Sequence, residues 1–149
     1  MFSLRPATAA DQPIITAIVR QAGINPRDLE WPRFIVAERE GEVIGVGQVK
    51  PHGDGSRELA SIAVRPEFQG QGAGSAICRA LIERESGVLH LITISRTEAY
   101  YHRFGFRKVG PDEMPPYFRR FFRVVTVLRP VLRRVMGIEL IVMKRMASG

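Results

Sequence analysis

One cysteine, Cys78, stands in 149 residues, so no intrachain disulfide can form, and the expected setting is a reducing one, the cytoplasm. No apolar run is long enough to span a bilayer. The N-terminus also lacks the basic region and long apolar stretch of an export signal. Acidic residues are few, 15 against 22 Lys and Arg, and the resulting net charge of +7 favours polyanionic partners such as phosphate-bearing ligands, nucleic acid or an anionic membrane. None lies between Glu113 and Glu139. The three histidines, His52, His90 and His102, have no ligand partners at metal-binding spacing, so no metal is expected. Repeats and low-complexity segments are absent too. What remains, 45% apolar and 25% charged residues, is ordinary for one globular domain over 1–149.

The richest stretch runs from Glu58 to Glu85. Glu58-Leu59-Ala60-Ser61-Ile62-Ala63-Val64 predicts a strand, ended by Arg65-Pro66 because proline cannot donate to a sheet ladder. Gln69-Gly70-Gln71-Gly72-Ala73-Gly74-Ser75 then sets glycines on alternate positions just before a helical pattern. Glycine lets a ligand approach the backbone, and a helix start offers unpaired N–H groups with partial positive charge. The unit reads as a cradle for a pyrophosphate. A P-loop is excluded, since no lysine lies between Lys50 and Lys108, and the Gly-x-Gly-x-x-Gly of a dinucleotide fold is not met.

Around this unit the remaining elements fall in order. Phe2–Arg5 predicts a strand stopped by Pro6, and Thr8 with Asp11 predicts a helix cap in which the Thr8 oxygen accepts an N–H. Ile14, Ile15, Ile18, Val19 and Ala22 recur at helical spacing. Asn25-Pro26 and Trp31-Pro32 mark a loop with at most a short helical turn. Phe34–Glu38 and Val43–Val49 form a hairpin across Glu40-Gly41-Glu42, with Gly45 and Gly47 permitting a bend or a close approach. Val88–Ser95 predicts a buried strand parallel to the central one, since a helix crossover joins them. Cys78, inside the helix, reads as a small packed side chain.

Gln69-x-x-Gly72-x-Gly74 resembles the acetyl-CoA motif of the GNAT superfamily of N-acetyltransferases. A second point of resemblance is Ala99-Tyr100-Tyr101-His102-Arg103-Phe104-Gly105-Phe106, which partly matches that family's Ala-x-x-Phe-Tyr-x-Lys-x-Gly-Phe. Thr93-Ile94-Ser95-Arg96-Thr97 and Glu113-Met114-Pro115 are similar to the amino-acid N-acetyltransferase branch, the N-acetylglutamate synthase type. The resemblance implies an α/β GNAT fold, a mixed central sheet splayed between strands four and five with flanking helices. It further implies transfer of acetyl from acetyl-CoA to a primary amine, such as an amino acid, directly through a tetrahedral intermediate. Two other readings stay open: a non-catalytic acetyl-CoA sensor, and a peptide or protein N-acetyltransferase.

Roles follow from the resemblance and from the chemistry, which needs a neutral amine, a stabilised oxyanion and a protonated leaving sulfur. Glu58 matches the glutamate base of the histone-type branch; it is otherwise a solvated strand-end residue. Ile62, Ala63 and Val64 are implied to bond the pantetheine arm by backbone, and Gln69, Gly70, Gln71, Gly72, Ala73, Gly74 and Ser75 to hold the pyrophosphate. Tyr101 is implied to protonate the sulfur, a step open to a phenol, which ordinarily ionises only near pH 10 (about 10 in peptides), or else to pack beneath the cofactor. Trp31 either lines the acceptor pocket or covers the core edge. The two-residue strand period sets Glu58, Ala60, Ile62 and Val64 on one face.

The region 115–137 predicts a basic amphipathic helix that Pro130 kinks or divides. Its apolar side either packs on the domain or a twin subunit, making a homodimer, or 117–134 contacts an anionic membrane. Nucleic acid is the less favoured partner.

Overall fold

A computed structural model describes residues 1–148. Its elements are strands β1 (Ser3–Pro6), β2 (Phe34–Arg39), β3 (Glu42–Pro51), β4 (Arg57–Val64), β5 (Leu89–Ile94), β6 (Arg107–Lys108) and β7 (Leu140–Arg145), and helices α1 (Gln12–Gln21), α2 (Ala73–Arg84), α3 (Glu98–His102) and α4 (Pro116–Val131). The strand order is β1-β2-β3-β4-β5-β7-β6. The sheet is mixed: β4 and β5 are parallel, with Glu58 opposite His90, whereas β1–β2, β2–β3, β5–β7 and β6–β7 are antiparallel. This is the expected α/β architecture. The chain divides into two compact units, one of 1–50 and 59–86, the other of 51–58 and 87–149.

In the first unit, the β2–β3 hairpin turns on Glu40 and Gly41, at φ 51° and 78°, the paired left-handed conformation that suits the strands' twist. Helix α1 lays Ile15, Ile18 and Val19 against Phe34, Val36, Val43, Val46 and Ala63. The expected cap forms at its entrance as a reciprocal capping box, in which the Thr8 side chain accepts the Asp11 N–H while the Asp11 carboxylate accepts the Thr8 N–H at 2.7 Å and the Thr8 hydroxyl at 3.2 Å. Arg5 grips the same carboxylate at 2.7 and 3.0 Å.

Arg5 and the Thr8 contacts hold the Asp11 carboxyl down at about 2. A carboxylate whose pKa falls on folding contributes stability above its unfolded value near 3.8, and that contribution is lost as pH drops from about 4 to about 2. Asp11→Asn should therefore cost on the order of 2 kcal/mol at neutral pH and nothing extra near pH 2, checked by melting temperature across pH.

Gly45 and Gly47 do what strand glycines were expected to do. A Cβ on Gly47 would stand 2.6 Å from both Ile62 Cδ1 and Ile77 Cγ2, so the missing side chain is what seats α2 on β3. Ile77 is fully buried and, as a β-branched helical residue, has one favoured rotamer. It cannot retreat. Gly47→Ala should lower stability by roughly 1–3 kcal/mol through overpacking, read as a fall in melting temperature. Cys78 is buried on the same helix, as a packed side chain.

The second unit is built on β7, which pairs with β5 from Leu89–Arg145 to Ile94–Leu140 and with β6 on its other edge. Val109, Met114, Phe118 and Val142 form its core, with Ile92, Tyr117 and Phe122 against them. Pro130 does not divide α4. The helix runs through it and instead widens into a π-helical turn, Leu132–Met136, ended by Gly137 at φ 64°. Proline removes one N–H from the ladder, and the adjustment is taken up two residues later. Among the described residues no helix is long and apolar enough to cross a membrane.

Candidate functional site

The cradle lies in the first unit and forms as a strand, a short turn and a helix start. After Val64, a 3-10 turn at Pro66–Phe68 reverses the chain, and Gln69 Nε2 reaches back to donate to the Val64 carbonyl at 3.1 Å. Gly70 and Gly72 take left-handed φ of 79° and 87°, a conformation that costs other residues about 1–2 kcal/mol. Gly72 is the N-cap of α2, and no side chain caps that end. A Cβ at Gly70 or Gly72 would meet no protein atom within 4 Å, so the ground above both is open. Exposed backbone, an uncapped helix start and open space together make an anion seat.

Two guanidinium groups flank it. Arg39 donates to Gln71 Oε1 at 3.3 Å and lies 5.7 Å from the Phe68 ring centroid, and Arg65 sits 5.8 Å from the same ring while pairing with Glu42 and Glu67. The cradle motif alone does not reveal Arg39, because it lies upstream in β2 and arrives by the fold.

Within β4 the structure corrects one expectation. Ser61 has φ 58°, which interrupts the pleat, so one face does not run evenly from Glu58 to Val64. Ser61 is buried and its hydroxyl accepts from Gln48 Nε2 at 2.9 Å, while that amide also donates to the Asp28 carbonyl at 3.2 Å. The side chains of Ile62 and Val64 both lie on the face of the strand glycines, beside Ile77.

Trp31, also in the first unit, opens a 3-10 turn at the edge of the core. It packs against the core cluster of α1 and also lines a cavity of about 310 Å³ with Gln12, Glu30, Pro32 and Arg33. Gln12 pins the loop there, accepting the Trp31 N–H at 2.9 Å and donating to the Leu29 carbonyl at 2.6 Å.

Glu58 belongs to the second unit and is buried rather than solvated. Its Oε1 is 2.8 Å from His52 Nε2, and the two side chains are 11% exposed each. His52 in turn stacks on Tyr117, ring centroids 3.6 Å apart and 15° from parallel, with Phe118 edge-on at 5.6 Å. Asp54 locks this arrangement to α4 by accepting the Tyr117 N–H at 2.9 Å, a helix cap supplied from another loop. Its bonds to Ser56 and to that N–H hold Asp54 at about 2, so it stays charged at neutral pH. The histidine spacing in the sequence speaks only to the absence of a metal set. His52 becomes Glu58's partner through the fold, because the polar turn 52–56 folds back on the start of β4. His90 is buried and stacked on Phe118 at 4.9 Å, and burial lowers its pKa.

Tyr101 sits on α3 in the same unit, in a separate aromatic cluster. Its ring meets Tyr100 edge-on at 5.1 Å and Phe106 edge-on at 6.3 Å, with Phe104 at 6.5 Å. Its carbonyl takes the N–H of Phe104 and Phe106, closing the turn in which Gly105 adopts φ 87°. Helix and turn thus fix the ring's direction. A cavity of about 540 Å³ in this unit is lined by Asp54, Arg57, His90, Asp112, Glu113 and Lys144, among others, so both charge signs face it. Among the described residues no three of His, Cys, Asp and Glu gather as a metal site.

Residues 30–108 match the family model described as "Acetyltransferase (GNAT) domain". An amino-acid acetyltransferase of Neisseria meningitidis is 28% identical over 134 residues, covering 81% of this chain and 31% of the relative. One from Pseudomonas aeruginosa is 30% identical over 101 residues, covering 64% of this chain and 23% of its own length. Among solved structures, N-acetylglutamate synthase from Neisseria gonorrhoeae, complexed with coenzyme A and N-acetyl-glutamate, superposes at TM-score 0.76 with 22% identity, covering all of this chain and 36% of that one. Rv2747 from Mycobacterium tuberculosis, in complex with CoA and NLQ, does so at 0.73 and 22%, covering 98% of this chain and 99% of that one. The chain thus spans about a third of the length of the Neisseria relatives. With the family pattern matched across more than half of its residues and the cradle built on the strand-to-helix turn where that pattern requires it, the chain belongs to the GNAT acetyltransferase family.

Proposed function

We propose that residues 1–149 act as one acetyltransferase domain moving acetyl from acetyl-CoA to a primary amine. The observation that carries this reading is the cradle: two left-handed glycines under open space, at the uncapped start of α2, with Arg39 and Arg65 beside it. Gln69 to Ser75 would hold the pyrophosphate through backbone N–H groups, and the backbone of Ile62, Ala63 and Val64 would bond the pantetheine arm. Arg39 and Arg65 add positive charge for the phosphates. The co-substrate supplies an activated acyl group as a thioester.

The chain's own groups would manage the protons. Glu58 takes one from the acceptor ammonium, directly or through water, leaving an amine lone pair to attack the carbonyl carbon. Tyr101 gives one to the departing sulfur as the carbon–sulfur bond breaks, and the second proton, shed by the nitrogen as the amide forms, returns through water to the phenol. His52 holds Oε1 of Glu58 by a bond of 2.8 Å, which orients the carboxylate and leaves Oε2 as the oxygen to take the proton. His52→Ala should lower kcat about ten- to a hundredfold by loosening that orientation, with CoA affinity unchanged. His52→Gln, which keeps a side-chain donor for Glu58, should recover part of that loss, which a merely structural defect would not do.

An amino acid is the acceptor class proposed. Support comes from the amino-acid acetyltransferases among the relatives and from the cavity whose cations, Arg57 and Lys144, face Asp112 and Glu113, a lining suited to a zwitterion. The proposed setting is the cytoplasm. The test is CoA release from acetyl-CoA across amino acids, polyamines and peptide N-termini. Turnover with amino acids supports the proposal, turnover with peptides alone moves the acceptor class, and CoA binding without turnover makes the chain a sensor.

A further inference from the structure

Helix α4 carries two apolar faces, and the fold uses one of them. Phe118, Phe122 and Val125 turn inward, Phe118 fully buried, while Val124, Val127, Leu128 and Val131 recur at three- and four-residue spacing on the outside. The outer stripe continues onto the π turn as Val135 and Met136. These residues are 46% to 79% exposed, too open to be serving the core. Exposed apolar area concentrated on one helical face marks an interaction surface.

Charge identifies its occupant. Arg120, Arg123 and Arg134 are exposed on the same helix and π turn as the stripe, and no acidic residue occurs anywhere from 114 to 138. Arg119 and Arg133 are committed elsewhere, Arg119 to the carbonyls of Pro111 and Met114, Arg133 to Glu139 at 3.2 Å. A second copy seated on the stripe would bring arginines against arginines with no carboxylate on the helix to receive them. An anionic bilayer offers hydrocarbon for the valines and phosphate for the arginines at one boundary. We propose that the outer face of α4 and its π turn is a docking surface for an anionic lipid membrane, the helix lying in the plane of the headgroups.

Co-sedimentation of the full chain with phosphatidylcholine vesicles, alone or mixed in equal parts with phosphatidylglycerol, tests this. The chain should bind the mixed vesicles and pass the neutral ones. Binding should weaken at least tenfold as salt shortens the Debye length from about 10 Å at 0.1 M to about 3 Å at 1 M. Reversing Arg120, Arg123 and Arg134 to Glu should weaken it on the order of a hundredfold or more. Val127→Ser with Val131→Ser should reduce it with the charge intact, and both sites are exposed enough to leave the fold unchanged, which the melting temperature confirms. Equal binding to both vesicle types, or to neither, overturns the proposal. So does a dimer in sedimentation velocity that the serine pair dissociates, because the stripe would then seat a second copy. Retention on single-stranded nucleic acid without vesicle binding overturns it as well.

Discussion

Tyr101→Phe is expected to lower acetyl-transfer turnover by roughly a hundred- to ten-thousandfold at every pH below phenol ionisation, with CoA affinity little changed. The substitution removes one oxygen from a ring whose position is set by Tyr100, Phe104 and Phe106, so packing survives while the proton that the proposed mechanism gives to the sulfur is lost. Glu58→Gln separates the other proton. Glutamine retains a hydrogen bond to His52 but cannot take a proton from an ammonium, so its deficit should be greatest below the acceptor's pKa and should shrink at high pH, where the amine is already neutral. The two pH profiles therefore differ in shape, flat for the acid and sloping for the base. Pre-steady-state rates across pH would show it. Wild-type rates in both variants would mean that water handles both protons.

Gly74→Val is expected to weaken CoA binding by about a hundredfold or more in calorimetry. Two amide–phosphate hydrogen bonds blocked, at about 1.5–3 kcal/mol for each bond to a charged group, account for that magnitude. Position 74 is the informative glycine. It lies inside α2 and has no positive φ, whereas Gly72, at φ 87°, would add backbone strain to any bulk placed there. A variant at 72 thus mixes a stability effect with a binding effect; one at 74 reads steric exclusion. An unchanged melting temperature with lost affinity assigns the effect to the cradle.

The fold was readable where local chemistry and packing agree. Alternate glycines before a helix, a proline after a strand, and apolar residues at helical spacing in α1 each state their structure within a few residues. What stayed hidden arrives from elsewhere in the chain. His52 reaches Glu58 only because the turn of 52–56 folds back, and Arg39 reaches Gln71 only because β2 passes the cradle. Ser61 shows a second kind of limit, since nothing in Ala-Ser-Ile announces a left-handed residue inside a strand and the even pleat expected from Glu58 to Val64 breaks there. At α4 the apolar positions were legible, but their division between a buried row and an exposed row was not. Helical spacing predicts an apolar side that packs on the domain, on a twin subunit or on a membrane; the exposure of Val127 and Val135 is a property of the surface the folded chain presents.

The central claim, that the glycine turn after β4 serves acetyl-CoA in an acyl transfer, is tested most directly by following thiol release from acetyl-CoA with and without a panel of amines. The account predicts CoA release that depends on both the amine and an intact cradle, saturating with acetyl-CoA and collapsing in Gly74→Val. No amine-dependent release by a folded chain, or release undiminished in that variant, would contradict it.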